Sequence, residues 1–239
     1  MTALLVVLAI AVAAGGVVAV AAPNPRHAVL GAAGAAFAAA FVSDPLPDPA
    51  ALIARASGAV LAGWLLWVAL RDAPRATDRS ALGLPGSAAV AMVGLVAGWF
   101  AALTLGDQLA ATGQGGTSAI AAAALAAGSP VAAAALGTSF ALIVLAVSPV
   151  LVPRDGLRMG LAAMLVLIAA ELAVTAIGGG TDDGAAIAFG VLIAGTGASL
   201  AAIVSVMLRQ PAGLALRDPQ GYELATHRTP GDPTRADEP

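Results

Sequence analysis

The sequence predicts an all-α, polytopic membrane protein of about seven transmembrane helices, with its amino terminus outside and its carboxyl terminus inside. Composition is the first ground. Of 239 residues, 59% are hydrophobic and 10% charged, and the mean hydropathy is +0.92; soluble domains carry about 25% charged residues. Run length is the second. Several stretches reach or approach the roughly 20 apolar residues needed to cross a hydrocarbon core of about 30 Å. The third is the sidedness of the arginines, taken up below. The alternating ten-residue strands of a membrane barrel are absent. The chain has no cysteine, which excludes disulfides, thiolate metal sites and iron–sulfur ligation.

Residues 2–22 are apolar with no basic residue ahead of them. A secretory signal wants a positively charged start, so this stretch reads as a retained helix. Pro23-Asn24-Pro25-Arg26 ends it, because proline denies helix to itself and to the residue before it. A short, alanine-rich second span follows over 27–43. Residues 44–49, Asp-Pro-Leu-Pro-Asp-Pro, make a stiff acidic turn, and Pro49 suits the first position of a third helix. That helix runs over 49–70, with Trp64 and Trp67 near its end, where interfacial tryptophans belong. A polar loop over 72–84 leads to a fourth helix over 85–106, then a polar, glycine-containing stretch over 107–117. Residues 118–128 are apolar but too short to span. They are either a re-entrant helix or the first part of a long, kinked fifth helix whose full span is 131–152. The last two spans form a hairpin over 157–177 and 185–208, joined by a Gly-rich turn with Asp182 and Asp183. Residues 1–209 are then the membrane domain, and the proline-rich, charged 210–239 a solvated cytoplasmic tail.

Seven spans place Arg26, Arg71, Arg75, Arg79, Arg154, Arg158, Arg209 and the three tail arginines inside, ten of the eleven basic residues. The outer loops hold Asp44, Asp48, Asp107, Asp182 and Asp183 and no basic residue. This is the positive-inside distribution. An eighth span at 118–128 would invert everything after it. The membrane expected is the inner (plasma) membrane.

Glu171 is the only acidic residue well inside an apolar run. A carboxylate costs roughly 2.5–3.5 kcal/mol at the centre of a bilayer, so this position calls for a proton or a partner. It lies about 10 Å from the outer Gly178 at 1.5 Å per residue. Thr138 and Ser139 on helix five, and Thr196 with Ser199 on the last helix, fall near that depth. They are the hydroxyls expected to line a proton or ion path with it; the alternative role for Glu171 is a neutral bridge between helices. Arg55, one turn into helix three, either snorkels to the interface, the favoured reading, or pairs with Asp44, Asp48 or Glu171. His27 reads as an interfacial, solvated histidine. The Gly195-Thr196-Gly197 stretch reads as close helix packing. Gly113-Gln114-Gly115-Gly116 has no lysine and follows no strand, so it is not a phosphate loop. No His/Asp/Glu cluster has metal-ligand spacing and no serine has a histidine and an acid in a shared site. Neither enzyme activity, metal nor cofactor is expected.

Residues 131–209 form three helices with an arginine turn, Arg154 and Arg158, before the second and a carboxylate, Glu171, within it. This pattern resembles the small K-type membrane subunit of respiratory complex I. It also resembles the relatives of that subunit in Mrp-type antiporters and the E-type membrane subunit of group 4 hydrogenases. Asn24-Pro25-Arg26-His27-Ala28 is similar to the turn after the first helix of the J-type subunit. K-type subunits usually carry their glutamate nearer the arginine turn and a second one on the third helix; here the third helix offers only Thr196, Ser199 and Ser205. The resemblance implies a non-catalytic subunit of an ion-translocating assembly, with membrane lipids and larger membrane subunits as partners and no nucleic acid. The alternative is a stand-alone small transporter or channel.

Overall fold

A computed structural model describes residues 2–42, 47–71, 83–112, 130–151, 156–178 and 182–208, and among them every regular element is an α-helix. The helices are α1 (Thr2–Ala21), α2 (Pro25–Ala39), α3 (Pro49–Ala69), α4 (Gly83–Thr112), α5 (Pro130–Leu151), α6 (Gly156–Gly178) and α7 (Asp183–Leu208). Six of them are long and apolar enough to cross a membrane. The chain is thus a multi-pass membrane protein by the length and composition of its helices. Residues 118–128, Asp44, Arg75, Arg79, Arg154 and the 210–239 tail lie outside the described residues.

The exception is α2, at 15 residues, or about 22 Å of helix. The sequence pattern suggested a span over 27–43; the helix instead starts and stops earlier. Asn24 caps its start, with Oδ1 accepting the Arg26 N–H at 3.0 Å, and Pro25 takes the first helical position, where its missing donor does no harm. At its other end the chain tightens through Phe41 N–H to Ala38 O and Val42 N–H to Ala39 O, both 3.1 Å. Ala39, Ala40 and Val42 are fully buried there, so α2 terminates inside the bundle. Helix α4 departs the other way. It continues through Gly106 and Asp107 to Thr112.

α5 and α6 form the centre, with α1 packed on both and α2 on α1 and α6. On α6 the inward stripe is Leu157, Leu161, Met164, Leu165, Ile168 and Leu172, all buried, at the 3–4-residue spacing of one helix face. α3 and α7 make the most extensive helix pair, flanking α2 and α6, and α4 lies against α5 on another side. Small residues set these spacings. A Cβ at Gly190 of α7 would sit 2.9 Å from Ala54 O and 2.9 Å from Arg55 Cα of α3. Gly94 and Gly98 of α4 meet α5 in the same way, with Gly98 facing the Gly137 Cα at 2.7 Å from its would-be Cβ. Backbones this close are how lipid-embedded helices gain contact, since lipid tails are as apolar as the helices themselves.

The two ends of the bundle differ in charge. Arg26, Arg71 and Arg158 cluster where α1 and α3 end and α2 and α6 begin. Asp48, Asp182 and Asp183 gather where α3 and α7 begin, and there the Asp48 N–H donates to Asp183 Oδ1 at 2.8 Å. The basic end carries two helix clasps. Arg158, from the first turn of α6, donates through Nη1 to Val20 O at 2.9 Å and through Nη2 to Ala22 O at 3.2 Å, at the end of α1. Arg26, at the start of α2, donates to Leu70 O through Nε at 3.4 Å and to Arg71 O through Nη2, at the end of α3. The last carbonyls of a helix have no partner within it and carry its negative dipole end, so a forked cation answers both needs. Arg158→Ala should therefore lower stability by roughly 1.5–3 kcal/mol, the range for hydrogen bonds to charged groups. Thermal unfolding in detergent reads this, and an unchanged midpoint would show the clasp to be idle.

Candidate functional site

The same device recurs inside the bundle. Arg55 lies six residues after Pro49, and Glu171 seven before Gly178, so both sit about 10 Å in from the acidic end. Arg55 is 1% exposed and Glu171 0%, which rules out snorkelling for this arginine. Its Nε meets Glu171 Oε1 in an ion pair joining α3 to α6. The rest of the guanidinium turns to the end of α2, with Nη1 donating to Ala40 O at 3.3 Å and Nη2 to Ala39 O at 3.0 Å. One side chain thus ties three helices. It satisfies carbonyls that a short helix strands below the surface, where each unmet group costs several kcal/mol.

The shape of the site follows from its neighbours. Asp48 caps α3 by accepting the Ala50 N–H at 3.4 Å, and Pro49 fills the first position, which fixes the register that turns Arg55 inward. Gly190 lets the α7 backbone lie directly on Ala54 and Arg55. A side chain there would push α7 off the pair and open it to the outside. On α6, Thr175 Oγ1 donates back to the Glu171 carbonyl at 2.9 Å.

The hydroxyls expected to serve Glu171 do not reach it. Thr138 Oγ1 donates to Ala134 O at 2.6 Å within its own helix, and Ser139 Oγ donates across to Ala169 O of α6 at 2.8 Å. Both are fully buried, yet neither Glu171 carboxylate oxygen accepts a hydrogen bond from them. Thr196 bonds Leu192 O at 2.7 Å, one turn back, and Ser199 is exposed on the outer face of α7. Hydroxyls within helices commonly settle on the carbonyl one turn back, and Thr138, Thr175 and Thr196 all do. Depth alone was thus a poor guide to partners. Asp48 is also not the partner of Arg55, being occupied with the α3 cap and Asp183. Of the Gly195–Gly197 stretch, Gly197 packs tightly on Ala62 of α3, while Gly195 faces open space.

What sequence reasoning missed is the helix end. The signal was available: Pro23 just before α2 and Pro25 at its start, with Pro45 and Pro47 after it, bracket a helix too short to span, and the next helix supplies an arginine in its second turn. The arrangement contains a fixed cation, a carboxylate and a helix C-terminus, all out of contact with water, and it can hold charge in the membrane. Among the described residues no group of three or more His, Asp or Glu could hold a metal ion. No protein-family model, no curated protein and no solved structure matches the chain.

Proposed function

We propose that this chain is a non-catalytic integral membrane subunit of an ion-translocating assembly of the complex I-like, hydrogenase-like or antiporter-like kind. The carrying observation is the Arg55–Glu171 pair, buried on every side by apolar helices. Ionisable residues within membrane segments are rare and mark ion paths, proton relays or counter-ions. Glu171 is the group that would exchange a proton, and Arg55 the fixed charge that would bias it. The outer faces of α4 and α7 support the subunit reading. Each helix buries only 22% of its apolar window in the bundle, leaving long apolar faces for larger membrane subunits.

The reading is tested on the native membrane. Gentle extraction, a native gel and mass spectrometry of the band should find the chain with antiporter-type and quinone- or hydrogenase-type subunits. A band at the mass of this chain or a small homo-oligomer would discard the assembly and leave a stand-alone transporter. Within an assembly, Glu171→Gln should slow proton-coupled turnover per assembled complex. The normalisation matters, because the variant also leaves Arg55 buried without its counter-ion. Full turnover per complex would reduce Glu171 to a structural role.

A further inference from the structure

A cavity of about 580 Å³ opens between α1 and α2 near the basic end of the bundle. Its walls are apolar: Ala14 and Val18 of α1, Leu30 and Gly31 of α2, and Leu84 at the start of α4. Leu30 is 53% and Leu84 55% exposed, so the groove faces outward, into the lipid. Polar character enters at one end only, where Ala22, Pro23 and the exposed His27 form the mouth. Ala14 lies eight residues before Ala22, so the groove reaches about 12 Å into the membrane.

Two arginines lie close to the mouth without lining it. The Ala22 carbonyl forming it is held by Arg158, and Arg26 precedes His27 in the chain. Each guanidinium group donates to a helix end, Arg158 to that of α1 beside the mouth and Arg26 to that of α3.

We propose that this groove holds one acyl chain of an anionic phospholipid, with the phosphate at the mouth beside His27. An apolar shaft with a polar, cationic opening at interface depth matches a lipid whose charge sits only at its head. A positively charged headgroup amine would oppose the arginines, so the net-anionic class is preferred over zwitterionic lipids.

Native mass spectrometry of the full chain, purified and mixed with equal amounts of phosphatidylglycerol and phosphatidylcholine, tests this. The wild-type protein should carry phosphatidylglycerol in clear excess. His27→Glu, at an exposed position, should lower that preference roughly fivefold, the effect of about one interfacial charge. Ala14→Phe, which fills the groove from its outward side, should remove the bound lipid while the helical circular dichroism stays the same. If Ala14→Phe does not fold, His27→Glu decides alone. Equal retention of the two lipids, retention unchanged by His27→Glu, or a dimer in place of the lipid adduct would each overturn the site.

Discussion

Leucine in place of Glu171 is expected to destabilise the bundle by about 3–5 kcal/mol, the usual effect of stripping one partner from a buried ion pair. The lost contact is the smaller part. The larger part is Arg55, which would remain charged, 1% exposed and without a counter-ion. Arg55→Leu should be at least as damaging, because it also releases the Ala39 and Ala40 carbonyls at the end of α2. The two changes touch one network, so their effects should not add. The Arg55→Leu/Glu171→Leu double variant should fall short of the sum of the single effects by up to about 3 kcal/mol, since neither charge is then left alone. Unfolding followed by tryptophan fluorescence in detergent measures all three. Strict additivity would mean that the pair is not coupled in the folded protein.

The second large effect is expected on α7. Gly190→Leu puts a side chain where the backbone of Ala54 and Arg55 already lies. Backbone cannot rotate out of the way as a side-chain tip can, so α3 and α7 must part. Overpacking of this kind costs typically 1–3 kcal/mol. Here it also separates the helix pair with the most extensive contact in the bundle. Gly195→Leu, on the same helix, is the matched control. Nothing lies within 4 Å of its would-be Cβ, and the effect should stay within about 0.5 kcal/mol. Equal effects at the two positions would mean that helix propensity, not close approach, governs α7.

The helical spans were legible because length and apolarity are local properties. The prolines at 23, 25, 45, 47 and 49 also announced their breaks. The sidedness of Arg26, Arg71 and Arg158 against Asp48, Asp182 and Asp183 was legible for the same reason, and the bundle places these two groups at opposite ends. The partner of Arg55 was harder to read. Interfacial snorkelling is the common fate of an arginine this near a helix start, and it assumes that the neighbouring helix reaches the surface. Helix α2 does not: its chain tightens at Phe41 and Val42, where Ala39, Ala40 and Val42 are already buried. Once α2 ends early, its last carbonyls need donors and the guanidinium is drawn inward. The partners of Thr138, Ser139 and Thr196 were hidden through a related gap: each hydroxyl donates to a backbone carbonyl, and helix depth alone does not count carbonyls as competitors for a hydroxyl.

The clasp at Arg55 also orders events during synthesis. Arg55 enters the membrane with α3 and can seize the end of α2 at once, since the two helices are consecutive. Glu171 arrives only with α6, after α4 and α5 have been made. At about 5–20 residues per second, the α2–α3 hairpin therefore waits for seconds with an arginine that has no counter-ion among the helices made so far. A nascent chain stalled before α6 therefore holds a charge at membrane depth without its counter-ion, a costly arrangement in a bilayer. Completion of α6 supplies that counter-ion, so the ion pair ties the late half of the chain to the early half.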